Sequence, residues 1–157
     1  MFVRRNTGVI FVNRIIVINV VKIKPMKNIS NWLKELAENK RVLVVPIMTH
    51  PGIELCGYTV KETVKDGSKH ANAIIRLNSE YPADAVTAIM DLTVEAEAFG
   101  ADVTFPENEI PSVVNRLVTD AVSVHNLDIP SLSKGRVMEY LKANRITASC
   151  IANKPIF

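Results

Sequence analysis

Residues 85–105, A-V-T-A-I-M-D-L-T-V-E-A-E-A-F-G-A-D-V-T-F, constrain this chain more than any other stretch. Residues 85–90 form an apolar run, the pattern of a strand buried on both faces in a parallel sheet. Asp91 ends the run. Beyond it Val94, Ala98 and Phe99 recur at helical spacing, and Gly100 supplies a left-handed helix stop. A carboxylate is thus placed where a buried strand becomes a loop, and in parallel α/β folds the carboxyl ends of strands frame the crevice that binds ligands. Position alone leaves two readings of Asp91 open: a crevice carboxylate, and a cap accepting N–H bonds from the helix behind it. Glu95 and Glu97 would point roughly 200° apart on that helix, so at most one faces the crevice. Glu95, nearer the strand end, is the candidate for substrate contact, with solvation or capping as the other reading.

Residues 41–48, R-V-L-V-V-P-I-M, read as an earlier buried strand, with Pro46 marking a bulge or an unpaired position because it has no N–H to give. The loop at its carboxyl end, residues 49–57, places His50 toward the same crevice as Asp91, where an imidazole can donate, accept or titrate near neutral pH. A loop-anchoring hydrogen bond is the alternative for His50. Before the strand, Ile29, Leu33 and Leu36 share one helical face, with Ser30 as the N-cap. After it, residues 59–62 have capping-box spacing, and Gly67 is expected to close that short helix. A further helix is predicted from Ser68 to about Tyr81, with Ala71, Ile74 and Ile75 inward and Pro82 ending it. His70, in its first turn, reads as solvated or capping. Downstream, residues 102–105 read as a short strand and residues 112–124 as an amphipathic helix with Val113, Val114, Leu117, Val118 and Ala121 as its stripe. Leu127, Ile129 and Leu132 are expected to pin a loop to the core. Ser133 is expected to cap a helix to about Asn144 that buries Val137, Tyr140 and Leu141, and residues 154–157 read as the start of another buried strand.

The chain has 157 residues, 48% of them hydrophobic, enough to bury one real core. Its net charge of +3 is unevenly spread. Arg4, Arg5, Arg14, Lys22 and Lys24 stand in residues 1–25 without a single acid, leaving 14 of the 19 basic residues against all 16 acids in the remainder. That remainder is mildly acidic, and nothing in it argues for nucleic acid. Residues 9–23 are apolar but interrupted by Asn13, Arg14, Asn19 and Lys22, whereas a membrane span takes about 20 predominantly apolar residues. No small-residue cleavage site follows them. Residues 1–25 therefore read as a basic, apolar extension that is not native, with Met26 as the natural start; an extra strand or an interfacial anchor is the competing reading. Cys56 and Cys150 stand far apart, as reduced thiols of a cytoplasmic protein do. There is no internal repeat and no phosphate-loop, dinucleotide or serine-hydrolase spacing.

Three blocks carry a family resemblance: V-P-I-M-T-H-P-G at 45–52, Y-P-A-D-A-V at 81–86 and M-D-L-T-V-E-A-E-A-F-G-A-D-V at 90–103. In this order they resemble the uroporphyrinogen decarboxylase superfamily, in particular its branch of cobamide-dependent methyltransferases of the methylcobamide:coenzyme M type. The likeness runs from about Asn28 to the last residue. It implies an α/β fold, the N-terminal portion of a truncated (β/α)8 TIM-type barrel, with residues 26–157 as the N-terminal half of a domain that takes about 250 residues. It also implies methyl transfer between a methylated corrinoid protein and a thiol such as coenzyme M. Asp91 matches the aspartate that lines the substrate cleft of the decarboxylases. Those enzymes typically grip the porphyrinogen carboxylates with an arginine motif in the loop after the first strand, and this chain has no arginine between Arg41 and Arg76. The methyltransferase branch is favoured for that reason.

The resemblance adds to the case for Asp91 as a catalytic residue, while position alone makes His50 the second catalytic candidate and Glu95 the substrate-binding one. Zinc and a corrinoid substrate are implied for the full-length family, but the zinc ligands, a His-x-Cys pair and a later Cys, belong to the second half of the barrel. Cys56 and Cys150 lack that context, so this chain is expected to bind no metal or cofactor and to be inactive alone. Two alternatives stand beside methyl transfer: tetrapyrrole decarboxylation of the porphyrin-biosynthetic kind, and a non-catalytic half-barrel whose open edges are covered by a second copy or another partner.

Overall fold

The computed structural model describes residues 11–12, 15–16, 28–40, 42–47, 49–151 and 154–157. Most of the basic extension over 1–25 lies outside the described residues; within it β1 (Phe11–Val12) pairs antiparallel with β2 (Ile15–Ile16). α1 (Ile29–Asn39) is capped by Asn28, whose Oδ1 accepts from Asn31 N at 3.1 Å, rather than by Ser30. Trp32, four residues before the half-buried Leu36, is its buried anchor, while Ile29 and Leu33 are exposed.

Four further helices precede or flank the site: α2 (His50–Leu55), α3 (Val60–Lys65), α4 (Gly67–Glu80) and α5 (Thr93–Ala98). The Thr59–Glu62 capping box forms as the spacing predicts. Gly67 does not close α3, which ends on Asp66. That residue stops one helix and starts the next, because its Oδ1 accepts from Ser68 N at 2.7 Å. α4 carries Ala71, Ala73 and Ile74 into the core, with Ile53, Val60, Val64 and Ile89 packed around it.

The predicted strand over 85–90 is the middle of three extended segments. Residues 86–88 pair in parallel with residues 155–157, through Val86 N to Pro155 O (3.1 Å), Phe157 N to Val86 O (3.0 Å) and Ala88 N to Phe157 O (2.8 Å). On the other side Asp84 N bonds Val44 O at 3.0 Å, Thr87 Oγ1 bonds Pro46 O at 3.0 Å and Thr49 Oγ1 bonds Thr87 O at 3.0 Å. These partners advance together, so the two segments run in the same direction. Residues 42–47 are extended but not the buried ladder strand the sequence suggested: Val42, Val44 and Ile47 are exposed. Pro46 has no N–H to give, and side-chain oxygens substitute for part of the ladder.

The amphipathic helix expected over 112–124 is absent. Ser112–Val113 is instead β4, antiparallel to β3 (Val103–Thr104), with the Thr104 and Ser112 hydroxyls 2.9 Å apart. β-branched Val113 and Val114, two and three residues after Pro111, favour the strand over a helical turn. Helix returns only at α6 (Ala121–His125), under an Asp120–Ser123 capping box. Ile129 and Leu132, expected in the core, are exposed. α7 (Val137–Cys150) begins at Arg136 rather than at Ser133 and buries Ala143 and Thr147 against α4.

α4 and α7 approach closely. Gly67 N donates to Glu139 Oε2 at 2.6 Å, and a Cβ at Gly67 would stand 2.2 Å from the Glu139 carbonyl oxygen. A backbone oxygen on a packed helix cannot swing aside. Gly67→Ala should therefore destabilise the chain by about 1–3 kcal/mol, seen as a lower urea midpoint at unchanged slope.

Candidate functional site

Asp91 stands at the end of the middle segment, and its side chain is fully out of solvent. Oδ1 accepts from Thr93 N at 2.9 Å and from Thr93 Oγ1 at 2.6 Å. Oδ2 accepts from Arg136 Nη1 at 2.6 Å and from Tyr140 OH at 3.1 Å. A carboxylate offers about four lone-pair positions, and these four donors fill them. Asp91 thus turns back on the α5 N-terminus, as the capping reading has it, and at the same time anchors a buried cluster. For it to touch a substrate, one of the four donors must give way.

Arg136 is delivered by the turn before α7, where Gly135 sits at φ 55° with Glu97 Cγ only 3.1 Å from where a Cβ would be. The guanidinium is used on every side. Nε donates to Glu97 Oε2 at 2.5 Å, Nη2 to Thr93 Oγ1 at 2.8 Å and Nη1 to Asp91, while its Cζ lies 4.7 Å from the centre of the Phe105 ring. Glu97, rather than Glu95, is the acid that joins the cluster. No sequence motif marked Arg136; the available signal was a lone arginine following a glycine at a helix start.

Burial pushes the Asp91 carboxyl up, but the hydrogen bonds from Thr93 and Arg136 outweigh it and hold the group below the usual carboxylate range. Burial alone would weaken the Arg136 charge; the bonds to Asp91 and Glu97 reverse that and raise its pKa. Burial and then the nearby Asp91 charge raise the Tyr140 phenol, which stays protonated and donates.

His70, read as solvated, is buried beneath this cluster. Its Nε2 accepts from Ile89 N at 2.8 Å, and its ring meets Tyr140 edge-on at 4.8 Å between centroids. An accepting Nε2 means a neutral ring, and burial depresses the pKa from 6.5 to about 4 against a partial opposing pull from Asp91.

A cleft of about 460 Å³ opens to solvent beside Asp91, lined by the end of the middle segment, α5, residues 130–132 and α7. Glu95 lines it and is exposed. His50 does not: it begins α2 and lines a separate cavity with Glu54, Tyr58 and Asn108. Among the described residues no three His, Cys, Asp or Glu side chains converge to hold a metal ion.

An extended parallel core with a charged cluster at a segment's carboxyl end defines the α/β class that the sequence suggested. Residues 25–156 match the family model described as Uroporphyrinogen decarboxylase (URO-D), and the chain belongs to that family. Among solved structures it is similar to a methyltransferase from Methanosarcina mazei, with a TM-score of 0.61 and 22% identity over 68% of this chain. The match spans 32% of that protein, so the chain covers about a third of its length. No curated protein matches. Among the described residues no helix is long and apolar enough to cross a membrane.

Two measurements check the cluster. Arg136→Met should cost about 3–5 kcal/mol in urea unfolding, because it strands a buried carboxylate. Adding Asp91→Asn to that variant should restore part of the loss. Because the folded pKa of His70 lies below its unfolded value, the unfolded chain binds the extra proton, and stability must fall as pH drops from about 6.5 to about 4. The loss amounts to about 3 kcal/mol. His70→Gln, which keeps an acceptor for Ile89, should flatten the dependence in that window; an unchanged slope would show that another group titrates there.

Proposed function

We propose that the chain is the N-terminal half of a (β/α)8 barrel of the corrinoid-dependent methyltransferase branch. The full-length protein moves a methyl group between a methylated corrinoid protein and a thiol such as coenzyme M in the cytoplasm. Family membership and the likeness to a methyltransferase support the general class. The observation that carries the choice of branch is the charge of the cleft beside Asp91. Its lining includes Asp91 and Glu95 and neither lysine nor arginine, and Arg136 is already spent on Asp91, Glu97 and Thr93. A tetrapyrrole bearing several carboxylates would meet like charge there with no bidentate partner. Decarboxylation remains the second reading because the family model is named for it.

In the methyl-transfer reading, Asp91 orients substrate from the rear wall of the cleft after Arg136 or Tyr140 releases one oxygen. Glu95 contacts substrate from the cleft wall, and His50 acts from the start of α2, in the separate cavity it lines with Glu54 and Tyr58. The zinc implied for the branch holds a thiol as thiolate. Cys56 and Cys150 lack His-x-Cys context, which supports assigning its ligands to the second half of the barrel. A second copy of the chain covering the exposed edge at 42–47 is the reading for a chain that acts alone without catalysis.

Methyl transfer from methylcobalamin to coenzyme M, followed by the corrinoid spectrum in a full-length barrel containing this sequence, tests the reading. Asp91→Asn should lower kcat at least a hundredfold, and His50→Ala a smaller amount. Release of carbon dioxide from a porphyrinogen without methyl transfer would overturn the assignment. Unchanged kcat and KM in His50→Ala would reduce that residue to scaffolding.

A further inference from the structure

We propose that Tyr140 is the positioning residue that yields at Asp91: a ligand entering the cleft takes, with its own N–H or O–H, the place on Oδ2 that the Tyr140 hydroxyl fills, while Thr93 and Arg136 keep theirs. The inference rests on the reading of Asp91 as the carboxylate that orients substrate, and it adds which of its donors gives way. The Asp91 side chain borders the cleft yet shows no surface to solvent. Contact with it therefore requires a partner to leave.

Position singles out one partner. Of the residues that donate to Asp91, Tyr140 lines the cleft beside it and is partly exposed, whereas Thr93 and Arg136 are buried and outside the lining. The Thr93 N–H is fixed by the start of α5, and the Thr93 hydroxyl is tied to Arg136 as well as to Asp91. Arg136 in turn is held by Glu97 and Thr93 besides Asp91.

Bond strength singles out the same partner. The Tyr140 hydroxyl stands 3.1 Å from Oδ2, whereas a strong O–H···O⁻ bond spans about 2.5–2.7 Å. Arg136 Nη1 stands 2.6 Å from the same oxygen and brings a full charge. Were Arg136 to withdraw, buried charges would be left unpaired; when the phenol withdraws, the ion pair stays whole. The Tyr140 ring is braced from behind by His70, edge-on at 4.8 Å, and His70 is itself held by Ile89 N at 2.8 Å. The hydroxyl therefore yields by turning its proton away rather than by drawing the ring into the core, and once free it can donate to the ligand or accept from it.

Water, the smallest O–H donor, is a probe that needs no substrate. In Tyr140→Phe of the 157-residue chain, a water from the cleft should take the vacated place on Oδ2, seen in a crystal structure of the variant with Asp91 and Arg136 unmoved. The unfolding equilibrium in urea should then shift only about fivefold, the worth of one ordinary hydrogen bond. Thr93→Val strips a donor from Oδ1, out of reach of the cleft, and should shift it by about thirtyfold or more because a buried acceptor is left unpaired. In the full-length barrel containing this sequence, Tyr140→Phe should lower KM about fivefold for methylcobalamin or for coenzyme M, whichever Asp91 contacts, because the donor that substrate had to displace is gone. A tyrosine that only supports the fold would raise KM or leave it alone. A loss in Tyr140→Phe as large as that in Thr93→Val, failure of that variant to fold, no water at Oδ2, or an unchanged or higher KM for both substrates would overturn the proposal. If the wild-type barrel moves no methyl group, the function reading fails by itself, and the urea and crystal arms still decide whether Tyr140 is the donor within reach of the cleft.

Discussion

The structure depends on one guanidinium. Arg136 joins three parts of the chain that are far apart in sequence: the end of the middle extended segment through Asp91, α5 through Thr93 and Glu97, and α7, which it begins. Bringing these charges out of water costs several kcal/mol per ion, and the cost is offset only if every lone pair and N–H finds a partner. Here each one does. Thr93 Oγ1 donates to one partner and accepts from the other, which fixes the orientation of both. The cluster is therefore close to all-or-none: removing one member leaves the others buried and unpaired.

The histidine beneath it extends the same logic to the backbone. Ile89 N, at the point where the parallel pairing with 155–157 has ended, would be an orphaned donor; His70 Nε2 accepts it. The imidazole edge then supports the Tyr140 ring, whose hydroxyl completes the Asp91 shell. A buried side chain on α4 thus positions the carboxylate two residues beyond its backbone partner, and the cleft inherits a rigid rear wall. Because the polar atoms of that wall are mutually satisfied, a ligand meets one of them only by taking a partner's place.

Some of this was legible in the residues and some was not, for identifiable reasons. The apolar run at 85–90 and the Asp91 that ends it were readable because burial leaves a compositional mark on a central strand. The Thr59–Glu62 cap was readable because capping is local. Arg136 was invisible for the opposite reason: its partners lie some forty residues upstream, and no spacing rule reports a contact at that separation. His70 was not legible because a place in the first turn of a helix gives no sign that α4 is covered by α7 on one side and α2 on another. The stretch over 112–124 shows pattern and propensity in conflict. Its apolar residues do recur at helical intervals, but Pro111, the β-branched pair at 113 and 114 and the nearby partner at 103–104 settled the matter for a hairpin.

Electrostatically the chain is closed, yet hydrophobically it is open. The charges of the Asp91 cluster are paired with one another and only Glu97 among them is partly in solvent, while Val42, Ile47, Leu92 and Ile129 each show well over half of their surface to solvent. Residues 42–47 use their hydrogen-bonding capacity toward 84–87, and the other side of that segment is an edge of the kind that recruits another chain or strand. The polar network ties together α4, α5, α7 and the middle segment. Uncovered apolar residues sit on the flanking segment at 42–47 and along 110–132, and also on the networked elements at Met90, Leu92, Phe99 and Leu141. A partner that docks on those flanks would bury apolar surface without disturbing the buried charges, so the electrostatic state of the site is set by this chain before anything covers it. The shape of the cleft is not set in that way, because Leu132 and Phe99 stand on its outer rim and would respond to whatever packs beside them.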